Sequence, residues 1–127
     1  MSGNDIANAA AAAGVPSVLG EAVAWQESGF NNGLTSSANA HGVMQILPST
    51  WTFIRTTLSS APLNPFSPLD NVRAGVLYLR YLLRQTGSVP TAVAAYYQGL
   101  GSVRRNGVLP ETEHYVNNVL ALSQRFG

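Results

Sequence analysis

Cysteine and lysine are both missing from this sequence of 127 residues, and acidic residues are few. Without cysteine, the chain can form neither disulfides nor a cysteine-based metal site. Its seven basic residues are therefore all arginine, and they face six acidic residues, for a net charge of +1. Because these arginines form no polybasic patch, the sequence predicts no nucleic-acid partner.

Long apolar runs are also absent, although hydrophobic residues make up 46% of the chain. No run reaches the eighteen or more residues of a membrane-spanning helix, so no transmembrane segment is expected. The N-terminal stretch MSGNDIANAAAAAG has neither a positive region nor a leucine-rich core, so we expect it not to be a secretory signal. The length suits one compact domain, and we expect a single domain over residues 1–127.

The apolar residues recur at helical spacing, with almost no alternation of the kind found in strands. We expect helices over residues 6–13, 16–28, 48–58, 71–85, 90–98 and 110–125. Asn4 or Asp5 is expected to cap the first helix, and Asp70 is expected to cap or open the fourth. Residues 101–107 are expected to form a turn, and residues 42–47 either a buried strand or an extended turn. The fold class is therefore all-α, with at most a minor strand element.

Glu27 is the acidic residue whose position suggests chemistry. Leu19, Val23 and Glu27 are spaced four residues apart and share one helix face, and Gly29 is a helix stop signal. Partial burial and the negative end of the helix dipole would both raise the pKa of a carboxyl group placed there. A raised pKa suits a general acid working near neutral pH. The alternative is a glutamate at the rim of the apolar stripe with its head in water.

A second catalytic carboxylate, which most glycoside hydrolases need, is not evident in the sequence. The other acids each have a structural explanation as a helix cap, a residue on another helix face, or an acid in the first turn of a helix: Asp5, Glu21, Asp70, Glu111 and Glu113. The sequence therefore offers one candidate acid, Glu27.

Three separated motifs follow one another along the chain. Glu27-Ser28 closes an apolar helix and is followed at 42–48 by GVMQILP. Residues 94–99 read AAYYQG, and residues 111–116 read ETEHYV. Together these motifs resemble the catalytic core of the soluble lytic transglycosylases and of the goose-type lysozymes, over residues 16 to 122. That family has Leu where this chain has Val43, and Asn-Ala where it has Tyr97-Gln98.

The resemblance implies a lysozyme-like fold and a peptidoglycan substrate. In the transglycosylases of that family, one glutamate, here Glu27, acts as acid and then as base in cleaving the bond between MurNAc and GlcNAc. The substrate's 2-acetamido group attacks the anomeric carbon, and its 6-hydroxyl then closes a 1,6-anhydro ring. The resemblance also indicates an extended segment at residues 42–47 that lines the cleft, and a set of substrate-binding residues: Ser36, Met44, Gln45, Tyr96, Gln98, Glu111 and Tyr115.

Neither a metal nor a cofactor is expected, because His41 and His114 are isolated and have no ligand spacing. The alternative function is a goose-type-like lysozyme that hydrolyses the same bond with water. A silent peptidoglycan-binding module and a structural helical domain remain the non-enzymatic alternatives. We expect action in the cell envelope or outside the cell, by a monomer, a domain of a larger protein, or the cell-wall-degrading domain of a phage or secretion system.

Overall fold

Seven α-helices and one π-helical turn make up the regular structure of the protein. The computed structural model describes all residues from Met1 to Gly127. In chain order, the elements are α1 (Gly3–Ala12), α2 (Ser17–Ser28), α3 (Pro48–Phe53), the π-helical turn (Ile54–Leu58), α4 (Pro68–Thr86), α5 (Val89–Gln98), α6 (Leu100–Asn106) and α7 (Pro110–Phe126). Two isolated antiparallel bridges, Thr35 with His41 and His41 with Ile46, are the only β pairing. The all-α prediction is confirmed.

The core is enclosed by helices that pack around α2 and around the pair α4 and α5. Helix α2 packs against α1 and α7, while α4 packs against α1, α5 and the π-helical turn, and α5 also contacts α6 and α7. Small residues lie where two helices come closest together. A Cβ atom on Gly20 would lie 2.7 Å from the Cβ of Ala10, so α1 and α2 could not pack this closely with a larger residue there. One cluster of 20 buried residues runs through α1, α2, α4, α5 and α7.

Ser2 and Ser67, rather than the residues predicted as caps, cap α1 and α4. Ser2 caps α1, since its hydroxyl oxygen accepts from the Asp5 amide at 3.2 Å and the Asp5 carboxylate accepts from the Ser2 amide at 3.3 Å. This reciprocal pair is a capping box, so neither Asn4 nor Asp5 is the cap. Ser67 likewise caps α4 and accepts from the Asp70 amide at 3.2 Å. In both helices the acid lies three residues after the cap.

Residues 101–107 were predicted as a turn, and this prediction is wrong. Residues Leu100–Asn106 form α6, which begins directly after Gly99 and ends at Gly107. Both glycines have positive φ angles, 91° and 70°, which end one helix and redirect the chain towards the next. The two glycines therefore flank a short helix rather than a turn.

Of the two alternatives predicted for residues 42–47, a strand or an extended turn, the structure has a turn, and this turn is tight rather than extended. His41 and Ile46 exchange two backbone hydrogen bonds of 3.1 Å, and the four residues between them reverse the chain. Gln45 adopts a positive φ angle of 49°, unusual for a residue other than glycine. We call residues 41–46 the central turn.

Two further features concern the chain as a whole. None of the helices is both long and apolar enough to cross a membrane. No group of three histidine, aspartate or glutamate side chains lies close enough to hold a metal ion.

Candidate active site

Glu27 lies in the last turn of α2, with its side chain turned towards α7. The helix ends at Gly29, whose φ angle of 62° is left-handed and whose amide donates to the Trp25 carbonyl oxygen at 2.8 Å. Val23 and Leu19, one and two turns earlier on the same face, are buried in the core. The apolar face of α2 therefore carries the carboxyl group into a part-buried position.

Burial controls the protonation of Glu27. It raises the pKa of this carboxyl group from 4.5 to about 7, and the hydrogen bond from Tyr115 offsets only part of that rise. The Tyr115 hydroxyl donates to Oε2 of Glu27 at 2.5 Å, from a side chain that is 6% exposed. No cation is paired with Glu27, since the one ion pair joins Asp70 and Arg73. Near neutral pH the group can therefore both give and accept a proton.

Two tyrosines remain neutral hydrogen-bond donors beside this carboxyl group. Burial raises the pKa of Tyr115 well above its ordinary value, and the negative charge of Glu27 raises it further. The pKa of Tyr96 is raised well above its ordinary value by burial first and by Glu27 second. The Tyr96 hydroxyl donates to the Met44 carbonyl oxygen at 2.7 Å.

The central turn is attached to three helices by side chains that bind its backbone. From α2, the Ser28 hydroxyl donates to the Val43 carbonyl oxygen at 2.7 Å. From α4, Asn71 accepts from the Met44 amide at 2.8 Å and donates to the His41 carbonyl oxygen at 3.0 Å. From α5, Tyr96 binds the Met44 carbonyl oxygen. These bonds fix the turn against the helix end that carries Glu27.

Met44 was expected to contact substrate, but its side chain is fully buried in the core. A Cβ atom on Gly75 would lie 2.5 Å from the Met44 Cγ, so the absence of a side chain at Gly75 makes room for Met44. This placement corrects the expectation that the Met44 side chain binds substrate. The backbone of Met44 instead holds the central turn in place, since its amide donates to Asn71 and its carbonyl oxygen accepts from Tyr96.

Gln45 and Ser36 shape the loop beside the central turn. Nε2 of Gln45 donates to the carbonyl oxygens of Leu34 and Gly42, both at 2.9 Å. Its Oε1 atom forms no hydrogen bond within the protein and remains available as an acceptor. Oγ of Ser36 accepts from the amides of Ala38 at 3.3 Å and Ala40 at 3.1 Å, which holds the loop in shape.

Gln98 is the last residue of α5, and Glu111 lies in the first turn of α7. Gln98 uses both ends of its amide within the protein, donating to Ser102 Oγ and the Gly107 carbonyl oxygen at 2.9 Å and accepting from the Leu109 amide at 3.1 Å. It therefore ties α5 to the start of α7. Glu111 is exposed in the first turn of α7, about one turn before Tyr115, and makes no hydrogen bond to Glu27.

Sequence reasoning missed Asn71, which is 2% exposed and gives the central turn two of its hydrogen bonds. A signal was present, because Asn71, Gly75 and Leu79 share one face of α4 at a spacing of four residues. An amide on a core-facing stripe needs hydrogen-bond partners, and here the partners are backbone groups about 30 residues earlier in the chain.

A helical fold built around one part-buried carboxyl group defines the class of protein as lysozyme-like and all-α. The family model for the transglycosylase SLT domain matches residues 4–117. The chain belongs to this family.

Relatives and solved structures agree with this assignment. The chain is 33% identical over 128 residues to the soluble lytic murein transglycosylase of Escherichia coli (strain K12), a match covering 84% of this chain and 20% of the relative. A transglycosylase of Enterobacteria phage PRD1 is 36% identical over 73 residues, covering 58% of this chain and 25% of that protein. The chain thus spans about a fifth of the length of its longer relatives.

Among solved structures, the lytic transglycosylase Slt of Pseudomonas aeruginosa, an inactive mutant, superposes with a TM-score of 0.88 at 28% identity over 98% of this chain. The 70 kDa soluble lytic transglycosylase of E. coli gives a TM-score of 0.83 at 31% identity over 94% of this chain. Each match covers 23% of the longer protein. The fold of this chain is therefore that of one part of these enzymes.

Proposed function

We propose that the protein is a lytic transglycosylase domain that cleaves the bond between MurNAc and GlcNAc in peptidoglycan and leaves a 1,6-anhydro-MurNAc end. The observation that carries this proposal is the single carboxyl group of Glu27, with a pKa of about 7 and no second acid hydrogen-bonded beside it. Asp70 is paired with Arg73, and Glu111 is exposed. The names of the relatives favour this outcome over the lysozyme alternative.

In the first step, Glu27 gives its proton to the glycosidic oxygen as the bond to the anomeric carbon breaks. The acetamido oxygen of the same MurNAc forms the new bond to that carbon, and GlcNAc leaves as an alcohol. In the second step, the Glu27 carboxylate removes the proton of the 6-hydroxyl, whose oxygen displaces the acetamido oxygen. The reaction is intramolecular, so proximity favours it over attack by water.

The groups around Glu27 support both steps. Tyr115 donates its hydrogen bond to the ionised form of Glu27, which stabilises the carboxylate left after the first step. The free Oε1 of Gln45 can accept from a sugar hydroxyl or amide. Tyr96 acts through the central turn, because its hydroxyl is used on the Met44 carbonyl oxygen.

We further propose that the 127 residues form one catalytic domain, acting in the cell envelope or outside the cell on glycan strands. One continuous core cluster supports the single domain. The domain acts as a monomer or within a longer chain, since its relatives are about five times as long.

Release of soluble fragments from purified peptidoglycan tests this function. Glu27→Gln keeps the shape of the side chain and removes the proton donor, so we expect release to fall by a factor of about 10² to 10⁴. Glu21→Gln, on another face of the same helix, is the matched control and should retain activity. Near wild-type release by Glu27→Gln would contradict the proposed role of Glu27.

A further inference from the structure

Tyr97 is an exposed aromatic residue next to the candidate active site. It lies in the last turn of α5 and remains 48% exposed, whereas its neighbour Tyr96 points into the protein and binds the central turn. Tyr97 also occupies the position where the resembling family has asparagine. Tyr97 thus combines an exposed position beside the candidate active site with a residue type that differs from the family pattern.

The ring of Tyr97 has a defined orientation. It stacks on the ring of Tyr115 with a centroid distance of 4.7 Å and an interplanar angle of 24°. Because stacking covers one face, the exposed part of Tyr97 consists of its opposite face and its edges. Tyr115 in turn donates its hydroxyl to Glu27. The free face of Tyr97 is thus separated from the catalytic carboxyl group by one side chain.

The helix that carries Tyr115 is also held next to Tyr97. Gln98, the other departure from the family motif, binds the Gly107 carbonyl oxygen and the Leu109 amide just before α7. The two consecutive substitutions therefore act on the same helix, one by stacking on Tyr115 and the other by fixing the start of α7. The stacked pair of Tyr97 and Tyr115 is therefore held by α5 on one side and by the fixed start of α7 on the other.

We propose that Tyr97 binds substrate by stacking its free face on the apolar C–H face of a pyranose ring adjacent to the cleaved bond. A flat aromatic surface loses little conformational freedom on binding and buries a large apolar area. The N-acetylated sugars of a glycan strand present such a face on each ring. This inference rests on the proposed function. It adds a sugar-binding residue to the site, since the asparagine that the family has at this position carries no ring for stacking.

Binding is best measured without turnover, in the Glu27→Gln background, with peptide-free glycan strands prepared from peptidoglycan. Because truncation removes the aromatic stacking surface, Tyr97→Ala should weaken the Kd about tenfold, which corresponds to about 1.4 kcal/mol. Tyr97→Leu should weaken the Kd similarly, because leucine offers no flat ring to the sugar. Leucine still covers Tyr115, so this variant keeps that residue shielded. Tyr97→Phe should bind within about twofold of the Tyr97 protein.

The leucine variant separates sugar binding from simple shielding of Tyr115. Equal affinity for strands with Tyr97→Leu and with Tyr97 would overturn the inference and leave the proposed function standing. If the Glu27→Gln protein, shown to be folded, bound no glycan strand at all, both the inference and the proposed function would fail. With Glu27 intact, Tyr97→Leu should raise KM more than it lowers kcat, and the opposite split would also overturn the inference.

Discussion

At the scale of single residues, the central feature is a carboxyl group whose pKa is set by two opposing effects. Burial at the end of α2 disfavours the charged form of Glu27, while the Tyr115 hydroxyl stabilises it. Burial has the larger effect, so the pKa lies at about 7 rather than 4.5. A group with this pKa can serve as the acid of one step and the base of the next at the same pH.

Tyr115→Phe removes the hydrogen bond that lowers the pKa of Glu27. The pKa should therefore rise further, and the fall in rate on the alkaline side of the pH profile should move to higher pH. The second step should become slower, because the carboxylate loses its donor. Initial rates of fragment release from pH 5 to 9 measure both effects. An unchanged or lower alkaline midpoint would contradict this assignment of the Tyr115 hydrogen bond.

Glu27→Gln should stabilise the protein at alkaline pH although it strongly lowers activity. The folded-state pKa, about 7, lies above the ordinary value of 4.5, so between these values the folded state binds more protons than the unfolded state. Stability therefore falls as pH rises through this window, and glutamine avoids the loss. At about 1.4 kcal/mol for each pH unit, the upper limit of the gain is about 3 kcal/mol above pH 7.

Urea denaturation at pH 4 and pH 8 tests this stability difference. We expect Glu27→Gln to exceed the wild type in unfolding free energy at pH 8 and to match it at pH 4. Glu21→Gln provides the control for replacing a glutamate on α2. A glutamine variant that is less stable than the wild type at pH 8 would show that burial of the Glu27 charge is not costly.

At the scale of elements, the helices were largely predictable and the central turn was not. Local signals such as Gly29 and Gly99 marked helix ends correctly, because positive φ angles depend mainly on the residue itself. The caps Ser2 and Ser67 were also predictable, because each begins a Ser-x-x-Asp pattern. The cap role was instead predicted for residues two or three positions later in the chain. The central turn depends on Asn71, a contact between distant parts of the chain, and periodicity cannot predict it.

The same distinction applies to the candidate site. Glu27, Tyr96 and Tyr115 were selected from motifs, and the structure brings all three together. Met44 was selected in the same way, yet it is fully buried because Gly75 opens a space for it on α4. A motif identifies positions near a site, but whether a side chain points into the cleft or into the core is decided by tertiary packing.

Gly75→Ala tests the contact between α4 and the central turn. The new Cβ would lie 2.5 to 2.8 Å from three atoms of Met44, which is fully buried and cannot move freely. We expect a loss of about 1–3 kcal/mol in unfolding free energy and lower activity, because the turn would be displaced. Gly101→Ala is the matched control, since its nearest neighbour is the mobile end of Arg105, at 2.9 Å.

For Gly101→Ala we expect little change or a gain of about 0.5–1 kcal/mol, since alanine favours the helical conformation. Thermal and urea unfolding of the two variants give the comparison directly. If Gly75→Ala were as stable and as active as Gly101→Ala, close packing of Met44 on α4 would not hold the turn in place.

At the scale of the whole molecule, the helices that carry the site share one core. Residues from α1, α2, α4, α5 and α7 and from the central turn belong to the same buried cluster. Movement of any of these helices would therefore disturb Glu27 or its partners. This arrangement keeps Glu27 and its hydrogen-bond partner Tyr115 together in a chain that spans about one fifth of the length of its longer relatives.

The 127-residue chain should unfold in one cooperative transition. Far-UV circular dichroism reports all helices, and fluorescence reports the two tryptophans, Trp25 in α2 and Trp51 in α3. The two probes should give the same midpoint and the same slope with urea. Separate transitions would indicate that α3 and the central turn unfold independently, and the proposal of a single domain would then be wrong.

The chemical form of the products tests the central claim most directly. Purified peptidoglycan digested with the protein should release fragments ending in 1,6-anhydro-MurNAc, identified by mass spectrometry. This result would support Glu27 as the sole acid and base, with the substrate closing its own ring. Fragments with a reducing MurNAc end, heavier by one water molecule, would contradict the account and indicate hydrolysis assisted by a second group.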